Sequence, residues 1–71
     1  MQEVQKRLGQ RIAELREKKG FSQEAFGDRC GINRSHMGEI ERGKWNLTLG
    51  TLRKIAQNLD TTVAALLKGI A

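Results

Sequence analysis

Residues 23–42 read QEAFGDRCGINRSHMGEIER, and the spacing within this stretch decides the fold. Counted from Gln23, a small residue falls at the fifth position, Gly27, and a glycine at the ninth, Gly31. Apolar residues occupy the fourth, eighth, tenth, fifteenth and eighteenth positions: Phe26, Cys30, Ile32, Met37 and Ile40. Helices that cross steeply over a tight turn need a small residue at their close approach, glycine in the left-handed turn and apolar residues facing the core. The pattern therefore predicts a helix-turn-helix over residues 23–42.

Helical signals continue on both sides of this motif. Upstream, an apolar stripe predicts a first helix that ends near Lys19, ahead of Gly20. Ser22 and Asn33 are the predicted N-caps of the second helix and of a third helix over residues 34–42. Further along, Thr48 is the predicted cap of a fourth helix, and a short apolar helix follows from position 63 to the end. No segment alternates as a strand does, so we predict an all-α fold of five helices, with residues 1–71 as one domain.

Composition narrows the class of function. The chain has 71 residues, and 13 Lys and Arg against 8 Asp and Glu give a net charge of +5, which favours a polyanionic partner. Cys30 and His36 are each the single residue of their type, too few for a disulfide or a structural metal site. We expect no metal and no cofactor. The N-terminal residues mix charged and apolar side chains, which predicts no signal peptide or membrane span and a reducing, cytoplasmic location.

The chain as a whole resembles the Cro/repressor-type helix-turn-helix proteins, also called the XRE family. The phrases that carry the resemblance are IAELREKKG (12–20), FSQEAF (21–26), IERGKWN (40–46), TLGTLRKIAQNLD (48–60) and TTVAALL (61–67). The turn phrase CGINRSHMGEIERG (30–43) is most similar to controller proteins of restriction-modification systems, with phage repressors and antitoxins sharing much of it. The resemblance implies a lambda-repressor-like fold of five helices and a bacterial or phage transcriptional regulator associated with the nucleoid.

In this family the third helix enters the DNA major groove, which assigns base reading to Arg34 and Ser35, with Glu39 one turn further along. The Arg34 guanidinium can pair with O6 and N7 of guanine. Glu39 can accept a hydrogen bond from cytosine or orient Arg34, and His36 can reach a base or a phosphate. The alternative is that this helix face is merely solvated.

Phosphate contacts are expected from the residues around the two motif helices, where polar side chains and free backbone N–H groups point outward. These residues are Ser22, Gln23, Asn33, Lys44 and Asn46. Arg42 is expected only to contribute to the electrostatic field at a distance. Trp45 stands where the family often has a cation, and its role stays open between covering the core and stacking at an interface.

Other motif residues are predicted to be structural. The resemblance implies a partly buried ion pair between Arg16 and Glu41, and Cys30 falls at an apolar position of the motif. Gly27 stands where alanine is usual in the family. Such a glycine, like Gly38 inside the third helix, costs about 0.5–1 kcal/mol of helix stability.

The expected assembly is an isologous dimer, as in small members of the family, which would read a pseudo-palindromic operator. Its predicted interface is the apolar C-terminal segment, since one short helix offers more apolar surface there than it can bury: Val63, Leu66, Leu67 and Ile70. The expected partners are double-stranded DNA, a second copy of the chain and RNA polymerase, with no membrane. The alternative function is an antitoxin-like protein-interaction module on the same fold. An enzyme and a reader of single-stranded RNA are both disfavoured, because the chain has neither a catalytic constellation nor an aromatic platform.

Overall fold

Helices account for nearly all regular structure in the computed structural model, which describes residues 2–44 and 47–70. They are α1 (Gln2–Lys18), α2 (Gln23–Cys30), α3 (Arg34–Glu41), α4 (Leu49–Asn58) and α5 (Val63–Leu67). Within the described residues there is no strand. The prediction of an all-α fold with five helices is confirmed.

Each helix after α1 begins at a polar side chain that satisfies a free backbone N–H. The hydroxyls of Thr48 and Thr62 accept from backbone amides at 3.1 and 3.0 Å, and Ser22 and Asn33 do the same for α2 and α3. The end of α1 at Lys18, followed by Gly20 at φ 82°, agrees with the predicted end near Lys19. These boundaries follow from local chemistry.

All five helices contribute to one apolar cluster. Its fully buried members are Ile12, Phe26, Met37, Ile55 and Leu66, one from each helix. This arrangement fixes the position of α3, because the helix is held on the cluster by its inner side only. Its opposite side is left at the surface.

The C-terminal segment differs from the prediction in one respect. Leu66 is fully buried and Ile70 is 9% exposed, so both lie in the chain's own core and not on a surface open to a partner. Their burial leaves little of either side chain for the predicted subunit interface, which stays a prediction. Val63 and Leu67 are half-buried and pack against the core.

Two arginines of α1 hold this segment in place. The Arg11 guanidinium donates to the carbonyl oxygens of Leu66 and Lys68 at 3.2 and 2.6 Å, and Arg7 donates to that of Gly69 at 3.3 Å. Because the last carbonyls of a helix have no intrahelical donor, these contacts satisfy groups that would otherwise need water. The cations at the end of α5 also suit its dipole. They explain how so short a terminal helix keeps its apolar face inside.

Candidate nucleic-acid interface

The turn between α2 and α3 is built on a left-handed glycine. Gly31 has φ 71°, and the next amide, of Ile32, donates to the carbonyl of Gly27 at 2.8 Å. Gly27 is buried, and a Cβ there would overlap the carbonyl oxygen of Ile32. The predicted close approach at Gly27 is confirmed. The alanine that is usual at this position in the family would fit here only if the backbone shifted.

The inner side of α3 carries the structural residues. Met37 is fully buried, and Ile40 and Glu41 are 2% and 8% exposed. Glu41 accepts from the Arg16 guanidinium at both carboxylate oxygens, with Nε to Oε2 at 2.7 Å and Nη2 to Oε1 at 3.1 Å. The predicted ion pair between α1 and α3 is therefore present. It determines how α3 is oriented, because the paired groups are buried and bidentate.

Further donors and acceptors complete this buried pair. Arg16 Nη1 donates to the carbonyl oxygen of Phe21 at 2.7 Å, and Gln23 Nε2 donates to Glu41 Oε1 at 2.9 Å. The hydrogen bond with Glu41 raises the pKa of Arg16 above its ordinary value, against the opposing effect of burial. Within the described residues, no buried side-chain nitrogen or oxygen lacks a hydrogen-bond partner.

The outer side of α3 presents the side chains that the resemblance assigns to base reading. Arg34 and Ser35 are exposed, and His36 and Glu39 are half-buried. Arg34, Ser35 and Glu39 line one shallow depression, so the structure brings these three together. No ion pair of 4 Å or less involves Arg34 in the described part of the chain, and its guanidinium is available to a ligand.

The residues predicted to contact phosphate divide into caps, a bridging amide and a cation. Ser22 Oγ accepts from the amide of Ala25 at 3.0 Å, and Asn33 Oδ1 accepts from that of His36 at 2.8 Å. Both caps keep a donor for an external oxygen, because the hydroxyl hydrogen and the amide NH₂ are not used in capping. Gln23 is half-buried and donates one amide hydrogen to Glu41, whereas Lys44 is exposed. Asn46 and Trp45 lie outside the described residues.

The structure places two further cations near this surface: Arg42, which was expected to act only through the electrostatic field at a distance, and Lys6, which the sequence did not identify. Arg42 lines the same depression as Arg34, although it lies at the other end of α3. Lys6 of α1 lies beside Lys44, because Gly43 (φ 76°) approaches so closely that a Cβ there would be 2.6 Å from Lys6 Cα. For Arg42 the signal was its spacing of four from Gly38, which places both on one side of a helix. No local signal pointed to Lys6.

The single cysteine is buried, and the described residues hold no metal-binding cluster. Cys30 is 3% exposed, and burial raises the pKa of its thiol, against the lowering effect of Arg29 and Lys54. Within residues 2–44 and 47–70, no group of three or more His, Cys, Asp and Glu side chains is arranged to hold a metal ion. Among the same residues, no helix is long and apolar enough to span a membrane.

Comparisons with known proteins agree with this geometry. The family model described as a helix-turn-helix domain matches residues 7–67. The control protein C.MunI of Mycoplasma sp is 35% identical over 71 residues, which cover 99% of this chain and 96% of the relative. The chain covers half of another relative, a hypothetical transcription factor of Neisseria meningitidis that is 36% identical over 75% of this chain.

Solved structures are similar over most of the chain. The crystal structure of the restriction-modification controller protein C.AhdI from Aeromonas hydrophila has a TM-score of 0.82 and 41% identity, over 86% of this chain and 92% of that one. The crystal structure of SinR, a master regulator for biofilm formation, in complex with DNA has a TM-score of 0.79 and 34% identity. That match covers 84% of this chain and 97% of the SinR chain.

Proposed function

Because the chain belongs to the helix-turn-helix domain family of the Cro/repressor type, we propose that it is a sequence-specific, double-stranded DNA-binding transcriptional regulator. The observation that carries the proposal is the two-sided character of α3. Its inner side is held by Met37, Ile40 and the buried Arg16–Glu41 pair. Its outer side presents an unpaired guanidinium, a hydroxyl and a carboxylate in one depression. A rigid helix with such a face fits the major groove.

Direct readout is assigned to the N-terminal part of α3. Arg34 donates two hydrogen bonds to a guanine, Ser35 contacts a neighbouring base, and Glu39 accepts from a cytosine amino group. His36, half-buried like Glu39, contacts a base or a phosphate. Together these contacts specify a short half-site.

Register on the DNA comes from contacts to phosphate. The proposed contacts come from the start of α2 and from both ends of α3. They are Ser22 and Gln23 at the start of α2, Asn33 before α3, and Lys44 and Asn46 after it. Such contacts are sequence-independent and make binding strongly dependent on salt. Their role is to hold α3 at one depth and angle in the groove.

Regulation by such a domain works through occupancy. A bound dimer blocks polymerase at a promoter or contacts RNA polymerase from an adjacent site, and the operator is a pseudo-palindrome because an isologous dimer has a two-fold axis. Restriction-modification control and phage-type repression are the two settings that the relatives' names support. Control of its own promoter fits either setting. A reporter fused to the chain's own upstream region should then respond as the protein's level is varied, and a flat response would argue against autoregulation.

The antitoxin-like alternative loses its main support. It required a large apolar surface at the C-terminus, whereas Leu66 and Ile70 lie in the chain's own core. Catalysis is likewise not proposed, because the Cys30 thiol is buried and its pKa is raised, which makes it a poor nucleophile.

Selection of bound duplexes from a random DNA pool at about 150 mM salt tests the proposal, since this salt suppresses purely ionic binding. The expected product is an inverted repeat with half-site centres about 10 base pairs apart. An Arg34→Ala variant is the matched control and should recover a repeat with one position relaxed. Recovery of no motif by the unaltered protein would overturn the proposal.

A further inference from the structure

Arg42 follows the last residue of α3 and folds back over that helix. A Cβ built on Gly38 would lie 3.2 Å from Arg42 Nη1 and 3.9 Å from its Cζ. The guanidinium therefore lies in close contact with the position that a Cβ of residue 38 would take. Gly38 is buried, although it lies on the side of α3 that borders the depression.

The N-terminus of α2 lies on the other side of the same space. Gln23 Oε1 is 3.6 Å from the Cβ position of Gly38, and Gln23 is anchored through its Nε2 to Glu41 at 2.9 Å. The Arg42 guanidinium and the side-chain oxygen of Gln23, the first residue of α2, thus both lie beside Gly38. In the described part of the chain, Arg42 forms no ion pair of 4 Å or less.

We propose that Arg42, held over Gly38, contacts a DNA phosphate at the edge of the groove that α3 enters. This inference rests on the proposed function and adds to it a contact residue and a positioning residue. A phosphate is the favoured acceptor because the guanidinium lies beside the N-terminus of α2, and in this motif the preceding helix crosses the sugar-phosphate backbone. A guanidinium donates two parallel hydrogen bonds to phosphate oxygens, which a neutral side chain cannot replace.

Gly38 acts here through Arg42. Glycine inside a helix lowers helix stability, so its presence calls for a reason. The reason that the structure offers is space, since a Cβ at position 38 would be 3.2 Å from Nη1 and would shift the guanidinium by a few tenths of an ångström. Gly38→Ala should therefore weaken DNA binding while the helix itself becomes more stable.

The test compares four variants on the selected operator and on a scrambled duplex over a range of salt concentrations. They are Arg42→Gln, Gly38→Ala, the double variant and Lys18→Gln as the control. Lys18 is exposed, and it lines a separate depression with Arg11, Glu14, Leu15 and Glu17, so its loss removes the same charge from another face. Thermal melting of each variant reports whether it is folded.

Arg42→Gln should weaken binding to both duplexes by about tenfold, the effect of one charge-assisted hydrogen bond, and make the salt slope shallower by about 0.9. Gly38→Ala should reproduce part of both effects with an unchanged or higher melting temperature. In the Arg42→Gln background, Gly38→Ala should have no further effect on binding. Lys18→Gln should leave the slope unchanged.

An unchanged slope for Arg42→Gln would overturn the inference while leaving the proposed function intact. Loss of preference at one base pair without a change of slope would also overturn it, because the contact would then be to a base. Full retention of the Gly38→Ala effect in the double variant would overturn the positioning role. If the unaltered protein prefers neither duplex, the proposed function and this inference both fail.

Discussion

Arg34 is the first residue of α3, and Lys44 follows the end of the same helix, so the two cations are separated by the length of α3. We expect Arg34→Ala to lose about 1–3 kcal/mol of discrimination at one base pair, because a bidentate contact to guanine is removed. Lys44→Ala should instead weaken all duplexes alike and make the salt slope shallower by about 0.9. Binding of both variants to single-base operator substitutions at several salt concentrations separates the effects. An equal loss on every duplex for Arg34→Ala would contradict its assignment.

Arg16 pairs with two carboxylates of very different exposure. The Glu41 side chain is 5% exposed and lies 2.7 Å from Arg16 Nε, whereas the Glu17 side chain is 70% exposed and lies 3.7 Å from Nη2. Glu41→Ala should cost about 3–5 kcal/mol of unfolding free energy, because Arg16 would be left buried without its partner. Glu17→Ala should cost less than about 1 kcal/mol, as solvent screens an exposed pair. Urea unfolding of both variants measures the difference, and equal losses would show that burial does not govern this pair.

Among the elements, α1 and α3 approach each other closely at a glycine. A Cβ on Gly9 would lie 2.5 Å from the carbonyl oxygen of Ile40 and 2.6 Å from that of Glu41, both backbone atoms that cannot move aside independently. Gly9→Ala should therefore lower stability by about 1–3 kcal/mol, despite the better helix propensity of alanine. Gly50 in α4 has open space around it, and Gly50→Ala should raise stability by up to about 1 kcal/mol. Thermal melting of the two variants should show opposite signs, and a stabilising Gly9→Ala would contradict the close crossing.

The helices also show which elements could be anticipated from local patterns. Ser22, Asn33 and Thr48 were identified as N-caps because a side-chain oxygen and the backbone N–H that it accepts from lie within the same four residues. The turn glycine Gly31 was identified for the same reason, since its positive φ is a property of one residue. Of the candidate interface, Arg34 and Ser35 were placed correctly at the surface. Helical periodicity puts Ser35 on the side opposite Met37, and Arg34 is the first residue of the helix.

At the scale of the whole molecule, the proposed dimer depends on side chains that the core leaves partly free. Leu66 is fully buried, so Leu66→Ala should cost about 2–5 kcal/mol of stability at every protein concentration. Leu67 is half-buried, and Leu67→Ala should raise the dimer dissociation constant with a smaller effect on the fold, if α5 forms the interface. Sedimentation equilibrium and melting at several concentrations separate these effects. An unaltered protein that sediments as the 8.0 kDa monomer at micromolar concentration, and binds DNA one to one, would contradict the dimer.

Helix boundaries, caps and the helix-turn-helix motif could be inferred from the order of residues, because each depends on neighbours within one or two helical turns. The placement of Leu66 and Ile70 in the core, and of Lys6 beside Lys44, could not be inferred in this way. These contacts join α1 to distant parts of the chain, as Arg11 does when it donates to the carbonyl of Leu66. A periodic pattern identifies an apolar face but not what covers it, so only the packing of the five helices decided which apolar side chains stay partly exposed and which cations lie near α3.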